Sequence, residues 1–258
     1  MKPSFPHTSL CHYTKDAVFY RDDNLVEDLL GKASFLDVFM KQAFNRSPSQ
    51  SERRLIDAVL VCLMEHGMTP SAIAARMIYS SSPENIQAGV AAGLLAVGSR
   101  FVGTMEDCAQ FLGQIAGAQD GRATARKIAD DFRARREPVP GFGHHLHKPD
   151  DPRASALIAL ARELGHSGGF AQALALLAQE VDAAASRHIT INATGAIAAV
   201  LGDLDIPPKL MRAFAVLARA AGLIAHIAEE QTVPAGRSIW QLVDHAMAVS
   251  PAEEVAQK

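Results

Sequence analysis

The chain has 258 residues, of which 48% are hydrophobic, 21% are charged and 6% are aromatic. This composition is typical of a folded globular protein with an aliphatic core, and it excludes a disordered or low-complexity chain. The formal net charge of −3 excludes the strongly basic surface that nucleic-acid binding requires, so we expect no nucleic-acid partner.

Apolar residues recur at helical spacing along most of the chain from Glu52 onward. Pro70 and Pro83 occupy positions typical of a first helical turn. The β-branched run Ile189 to Ile191 is too short and isolated to imply a sheet, so the predicted fold class is all-α. In chain order, the predicted helices cover 52–66, a segment starting at 69–71, 82–97, 104–115, 122–134, 153–164, 169–186, 193–201 and 208–230.

A charged stretch over 120–137 closes at Glu137 and Pro138 and is the best candidate for an internal boundary. We predict one domain over residues 1–258 with a large lobe and a small lobe. The large lobe comprises about 14–135 and 192–245, and the small lobe comprises about 136–191.

A glycine- and proline-rich loop over 140–149 carries the strongest functional signal. Gly141 and Gly143 allow tight turns and leave room for a ligand, while the surrounding prolines prevent a helix. His144 titrates near neutral pH, and Arg153, nine residues later, can bind a carboxylate through two parallel hydrogen bonds. The pattern predicts a site for an acidic substrate.

Two other interpretations of this loop stay open. His144, His145 and His147 offer imidazole ligands for a metal, although no zinc-type spacing completes such a site elsewhere in the chain. A purely structural turn is the other alternative. We favour proton transfer and anion binding, and we predict no metal.

The helix predicted over 208–230 carries Arg212, Arg219 and His226 at seven-residue intervals, which places them on one side. Arg219 has small neighbours that leave space for a ligand, and a buried guanidinium needs an anion. We expect Arg219 to bind substrate and Arg212 to lie on a solvated edge.

The cysteines and the N-terminus predict the compartment. Cys11, Cys62 and Cys108 are odd in number and widely separated, which fits a reducing compartment better than a disulfide framework. No apolar stretch of signal-peptide length begins the chain, and no run of about 18 apolar residues occurs in it. We therefore expect a cytoplasmic protein that does not contact membranes.

Four segments taken together resemble one known family. They cover 65–71, 92–101, 139–153 and 219–229, with a further similarity over 20–31. They resemble the citrate synthase superfamily, and best its lyase branch, the citryl-CoA lyases and the C-terminal domain of ATP-citrate lyase. The resemblance extends over about residues 14–245 and implies a helical fold with a large and a small lobe.

The resemblance implies a role for each matching position. His66 and His144 match the family's oxyacid-site histidines, with His144 acting as base in cleavage and acid in condensation. Arg153 and Arg219 match its carboxylate-binding arginines, and Arg237 resembles a third that the partner subunit supplies. The loop that would lie against the CoA thioester comprises Val139, Pro140, Gly141, Phe142 and Gly143.

Ligands and assembly also follow from the resemblance. It implies a CoA thioester and a small di- or tricarboxylate as substrates, with no tightly bound cofactor. It further implies a homodimer or homotetramer whose active sites are shared between subunits.

Two positions depart from the family's pattern. Citrate synthases have a further histidine that holds the thioester carbonyl, where this chain has Phe101 or Val102; the lyase branch lacks it too. Thr194 stands where the family has the aspartate that exchanges a proton with the acyl-CoA methyl group. A threonine hydroxyl is not a general base near neutral pH, so condensation by the usual route is disfavoured. In cleavage the enolate needs only a proton source, which a water, Thr194 as a relay or His66 could supply.

We therefore expect a carbon–carbon lyase that cleaves a citryl-CoA-like 3-hydroxy-3-carboxyacyl-CoA to an acyl-CoA and a 2-oxo acid. The alternatives are a non-catalytic or substrate-divergent paralogue that binds CoA or polycarboxylates, and a citrate or alkylcitrate synthase. The pair His66 and His144 favours an enzyme, because anion binding needs arginines more than paired histidines.

Overall fold

The computed structural model describes residues 7–98 and 103–247, and within them the chain is built mostly of helices. The predicted all-α class is confirmed. The helices are α1 (Phe35–Phe44), α2 (Gln50–Met64), α3 (Pro70–Ser81), α4 (Ile86–Leu95), α5 (Thr104–Gly117), α6 (Gly121–Arg135), α7 (Pro152–Glu163), α8 (Gly169–Ala185), α9 (Ala193–Asp203), α10 (Pro208–Thr232) and α11 (Gly236–Ala246).

The N-terminal region contains elements that periodicity did not predict. A three-stranded antiparallel sheet joins β1 (Cys11–Tyr13), β2 (Val18–Tyr20) and β3 (Asp23–Asn24), and a π-helix covers Leu25–Leu29. Strands of two or three residues are too short to show an alternating pattern, which explains the omission.

Helix ends decide which side chains are free to form a site. Helix α2 starts at Gln50, because Ser49 and Glu52 form a capping box, and it ends at Met64. The prediction of helix up to His66 is therefore wrong, since Glu65 is already extended. Likewise α4 starts at Ile86, later than predicted from the Pro83 signal.

Helix α10 is the centre of the fold and packs against α2, α3, α4, α5 and α9. By length and composition alone, this helix could cross a bilayer. It was not identified as such from the sequence, because polar residues interrupt its apolar run. Met211, Phe214 and Leu223 of this helix are fully buried in the protein. Gly222 permits the closest approach, because a Cβ there would collide with the Met64 carbonyl at the end of α2.

The segment predicted as a small lobe contributes α7 and α8, which pack on α5, α6 and α9. Leu157 of α7 and Leu177 of α8 belong to the same hydrophobic core as Leu112 of α5. The division into two lobes at Glu137 and Pro138 stays a prediction. Positions 99–102, which include Phe101 and Val102, lie outside the described residues.

Candidate active site

Three of the predicted site residues meet in space although they are far apart in sequence. Arg153, at the start of α7, lies between His66, which follows α2, and His144 of the loop. Its Nη1 is 3.4 Å from His66 Nδ1, and its Nη2 is 3.3 Å from His144 Nε2. The two imidazole rings lie edge to face, with centroids 6.3 Å apart. The structure thus forms a cationic pocket of two imidazoles and a guanidinium.

Asp151 fixes the position of the guanidinium. This carboxylate is fully buried and accepts hydrogen bonds from Nε and Nη2 of Arg153 at 3.0 and 2.8 Å. It also caps α7 through the Arg153 backbone N–H and accepts from the Ala193 N–H, which ties α7 to α9. Burial opposes its ionisation, but the hydrogen bonds with Arg153 outweigh burial and lower the pKa of Asp151.

His144 is oriented by its own loop. Its Nδ1 accepts the backbone N–H groups of Leu146 and His147 at 3.1 and 3.0 Å. A neutral imidazole with an accepting Nδ1 carries its proton on Nε2. Arginine can only donate, so the Arg153 Nη2 contact with Nε2 at 3.3 Å would require the opposite tautomer, but the two shorter backbone contacts at Nδ1 outweigh it. With Nε2–H and Nη2–H both donors, the site favours a negatively charged oxygen beside them that accepts from both.

This tautomer restricts the role of His144. As a neutral donor it suits protonation of a 2-oxo oxygen in condensation or stabilisation of an alkoxide in cleavage. Its expected role as base in cleavage requires the other tautomer, in which Nδ1–H would oppose two backbone N–H groups. The resting geometry therefore favours a hydrogen-bond donor over a base.

Both histidines are held in the uncharged form. Burial lowers the pKa of His144, with a further contribution from His147 and a smaller opposing one from Asp151. Burial also lowers the pKa of His66, and the positive charges of Arg153 and Arg219 add to this effect. Neutral imidazoles beside two guanidinium groups form a site that binds anions without needing protonated histidine.

Arg219 lies near this pocket on α10. Its Nη1 is buried without a hydrogen-bond partner among the described residues. Burial lowers the pKa of its guanidinium, and the Glu65 carboxylate opposes this. A buried donor without a partner is costly, so a substrate carboxylate would satisfy a need already present in the fold.

Thr194 has a different environment from the histidines. Its hydroxyl donates to Asn192 Oδ1 at 2.7 Å and lies 3.2 Å from Thr104 Oγ1. Asn192 in turn donates from Nδ2 to the Gly143 carbonyl at 3.0 Å and caps α9. Thr194 therefore supports the loop, and its proton already has an acceptor within the protein.

Arg237 is not brought to the pocket. It is exposed on α11, and within the described part of the chain no hydrogen bond or ion pair joins it to His66, His144 or Arg153. Its expected place in a neighbouring subunit's site stays a prediction. Arg212, expected at a solvated edge, instead is only partly exposed and pairs with Glu106 of α5.

A cavity of about 640 Å³ opens beside His144 and the loop. Val139, Phe142 and Gly143 line it, whereas Gly141 packs against Cys108 and Gly195 instead. Glu137 at its rim is paired with Arg135. The remaining charged groups at the rim are the cations Arg133, Arg136, Lys148 and Arg187. The cavity therefore suits a ligand that carries several negative charges.

The histidines of the loop stack on one another. The rings of His145 and His147 lie 4.7 and 4.4 Å from that of His144. Within residues 7–98 and 103–247, no group of three or more His, Cys, Asp or Glu side chains is arranged to hold a metal ion.

Two important residues had no role in the sequence-based prediction. Asp151 and Glu65 were recognised only as parts of motifs, although they hold Arg153 and the turn at His66. An aspartate before Pro152 is a typical helix cap, so the sequence did contain a local signal for the first. The role of Glu65 depends on α10 and has no local signal.

Comparisons with known proteins identify the family. A family model described as the citrate synthase C-terminal domain matches residues 10–240. The citrate synthase of Synechocystis sp. is 28% identical over 208 residues, which are 78% of this chain and 51% of that protein. The chain thus spans about half the length of the curated relatives it matches.

Two solved structures share the fold. The citryl-CoA lyase from Hydrogenobacter thermophilus superposes with a TM-score of 0.86 and 29% identity, and the match covers 98% of each chain. The ATP citrate lyase from Methanothrix soehngenii, solved with citrate and coenzyme A, gives a TM-score of 0.80 at 20% identity over 100% of this chain and 44% of that one. With the family match over 10–240, these results establish that the chain belongs to the citrate synthase family.

Proposed function

We propose that the chain is a carbon–carbon lyase that cleaves a citryl-CoA-like 3-hydroxy-3-carboxyacyl-CoA into an acyl-CoA and a 2-oxo acid. The observation that carries this proposal is the convergence of His144 and Arg153 as two donors on one space, beside a cavity with a cationic rim. The end-to-end similarity to a citryl-CoA lyase supports it.

The substrate would occupy both parts of the site. Coenzyme A carries several phosphate charges, and the rim arginines and Lys148 suit them. The thioester would lie along Val139 to Gly143, next to His144. The carboxylates of the acyl group would contact Arg153 and the unpaired Nη1 of Arg219.

In the proposed cleavage, the substrate hydroxyl loses its proton to water, and the C–C bond breaks as the new C=O bond forms. The electron pair passes to the thioester enolate, whose carbon then takes a proton from water. Arg153 and the His144 Nε2–H stabilise the negative oxygen as the hydroxyl proton departs. Water is the proton source in this scheme because the Thr194 hydroxyl is already donated to Asn192.

A synthase is the second candidate, because relatives named citrate synthase share the domain. Condensation requires a base that removes a methyl proton from acetyl-CoA, and Thr194 offers no carboxylate for this step. The lyase reaction does not require that base, since the enolate is produced by bond cleavage. A paralogue that only binds CoA or polycarboxylates is less favoured, because anion binding needs the arginines and does not require the paired neutral histidines.

We also propose that the protein forms homo-oligomers. Helix α11 exposes Trp240 and Leu242, with 67% and 71% of their surface accessible. Leu95 at the end of α4 is 87% exposed and Ile224 of α10 is 53% exposed. Apolar side chains this exposed favour burial against a second copy, which would bring Arg237 to the neighbour's site.

A direct assay separates these functions. Incubation with citryl-CoA should release acetyl-CoA and oxaloacetate, followed by mass spectrometry and by reduction of oxaloacetate with malate dehydrogenase and NADH. Incubation of acetyl-CoA with oxaloacetate should release little free CoA thiol. Citryl-CoA or CoA binding measured by calorimetry without any turnover would contradict the lyase proposal and favour a binding protein.

A further inference from the structure

A chain of buried polar contacts starts at Arg76 of α3. Only 3% of this residue is exposed, and its guanidinium is shared among three acceptors on α10. Nε donates to His226 Nδ1 at 3.0 Å, Nη1 donates to Glu230 Oε2 at 2.8 Å, and Nη2 contacts the Glu229 carboxylate. The proposed reaction uses none of these residues.

The contact with Arg76 fixes the tautomer of His226. An arginine can only donate, so Nδ1 of His226 is the acceptor and the neutral ring carries its proton on Nε2. This Nε2 lies 3.0 Å from Glu65 Oε2. The His226 Nε2–H is not aligned with the Glu65 oxygen, so this contact is an electrostatic attraction and not a well-formed hydrogen bond. His226 thus links a buried guanidinium to Glu65, whose side chain is 46% exposed.

Glu65 transmits this contact to the pocket. Its other oxygen, Oε1, accepts the backbone N–H groups of His66 and Gly67 at 2.8 and 2.5 Å. Gly67 has φ of +70°, which glycine adopts without strain, and the chain turns there before α3. The carboxylate therefore holds the turn that presents the His66 ring to Arg153.

The same guanidinium reaches a second element. Glu230 Oε1 accepts the N–H groups of Ala235 and Gly236 at 2.9 and 2.7 Å, and these residues begin α11. Gly236 is buried against Ser80 of α3, where a Cβ would be only 2.7 Å from the serine side chain. Arg76 therefore joins the turn at His66 to the start of the helix that carries Arg237.

We propose that Arg76, His226 and Glu65 are positioning residues that hold His66 in its working orientation and tie it to the start of α11. The inference rests on the proposed function, in which His66 forms one wall of the pocket of Arg153 and His144 that would hold the acyl group. A buried ion network is often no more stable than apolar packing of the same volume. This network therefore has to be explained by more than stability, and its contact with the turn at His66 indicates that it orients that histidine.

Substitutions at His226 separate positioning from support of the fold. His226→Phe fills the space without either polar contact, and His226→Gln retains one acceptor and one donor. We expect His226→Phe to lower kcat by about 10²-fold with a much smaller change in KM, because a misplaced site group costs about that factor. His226→Gln should recover most of this loss. His166→Phe, which removes a histidine bonded to Ser51 elsewhere in the fold, is the matched control and should keep kcat.

A double-variant cycle tests whether His226 acts through His66. In a His66→Ala background, His226→Phe should cause no further loss of kcat, since the group it positions is gone. A multiplicative loss in that background, or an unchanged kcat in folded His226→Phe, would overturn the proposal. If His226→Phe does not fold, Glu65→Gln at the exposed end of the chain is expected to give the same loss and the same cycle.

A readout without turnover keeps this test independent of the proposed function. Burial and two arginines lower the pKa of His66, so its ring C2–H titration by NMR reports its position beside them. The titration should move toward the ordinary value in His226→Phe and stay near the wild-type value in His226→Gln and His166→Phe. Unchanged titration in all variants would refute positioning, whereas absence of wild-type citryl-CoA cleavage would refute only the proposed function.

Discussion

Arg153 contacts Asp151 at two points, with Nε donating to Oδ1 at 3.0 Å and Nη2 to Oδ2 at 2.8 Å, and the carboxylate is fully buried. Asp151→Asn keeps the shape but replaces one acceptor by a donor that faces the guanidinium. We expect a loss of about 2 kcal/mol in the free energy of unfolding and a higher KM for the substrate, measured by urea denaturation and steady-state kinetics.

The neighbouring Asp150 is the matched control for this change. Its side chain is 64% exposed, and its contact with His188 is on the surface, where ion pairs contribute little. Asp150→Asn should leave both KM and stability near the wild-type values. Equal effects at the two positions would contradict the role assigned to Asp151.

His144→Asn is expected to abolish most turnover while leaving the loop intact. The asparagine Oδ1 can accept the backbone N–H groups that His144 Nδ1 accepts now, but no group replaces Nε2–H. Loss of one hydrogen-bond donor to a developing oxyanion typically costs about 10²–10³ in rate. The measurements are kcat and melting temperature, with His145→Asn as control. Activity within threefold of the parent would remove His144 from the mechanism.

The pH dependence of kcat/KM should reflect neutral histidines. Burial, and next His147, lower the pKa of His144 below the ordinary 6.5, so the neutral Nε2–H form persists into mildly acidic solution. Activity should be retained at pH 6.5 and lost as the pH falls through the lowered pKa. A profile of kcat/KM from pH 4.5 to 8.5 tests this. If kcat/KM instead falls on the acid side with a midpoint above pH 6.5, the free enzyme stabilises the charged His144 imidazole and the expectation is wrong.

Shared active sites predict complementation between inactive chains. Arg237→Ala and His144→Ala subunits should each be inactive alone and regain activity when mixed under conditions that exchange subunits. Hybrid assemblies would contain one site with both residues intact. Subunit exchange is verified by native mass spectrometry. Exchange without recovered activity would place Arg237 outside the neighbour's site.

Thr194→Asp tests what the missing carboxylate would do. Wild-type protein should exchange the methyl protons of acetyl-CoA with deuterated solvent slowly, because no base stands at position 194. The substitution should increase exchange, followed by mass spectrometry of acetyl-CoA. It should also lower the melting temperature, because a carboxylate would face the Asn192 oxygen that now accepts from Thr194.

Thr194→Val separates these two effects, since it removes the hydroxyl without adding a base. It should lower the melting temperature without raising exchange. Rapid exchange by the wild-type chain would refute the argument, because another residue would then be the base.

The main features of the site could be predicted from the sequence, because short stretches of neighbouring residues determine both the loop conformation and the start of a helix. Gly141, Gly143 and His144 lie on the predicted loop, and Arg153 lies at the predicted helix start, where it contacts both His144 and His66. Periodicity located nine of the helices to within a few residues, since their apolar faces are regular.

The remaining features depend on distant contacts. Helix α2 ends at Met64, where Gly222 of α10 packs closely on the Met64 carbonyl, and no local pattern shows this end. The roles of Glu65 and His226 arise from the same packing. Helices α1 and α11 were missed, although the apolar residues of α11 recur at helical spacing.

The contact between Gly141 and Gly195 has a consequence for motion. A Cβ at position 195 would overlap the Gly141 carbonyl, and one at 141 would lie 2.9 Å from the Gly195 Cα, so neither glycine tolerates a methyl group. The first part of the loop and the start of α9 must therefore move together as one unit. Gly143 is tied as well, because its N–H donates to the Thr190 carbonyl and its carbonyl accepts from Asn192. Any rearrangement when a ligand enters therefore has to begin after Gly143. Hydrogen exchange should thus be slow at Asn192, which donates to Gly141, and faster at the exposed loop residues His145 and Lys148.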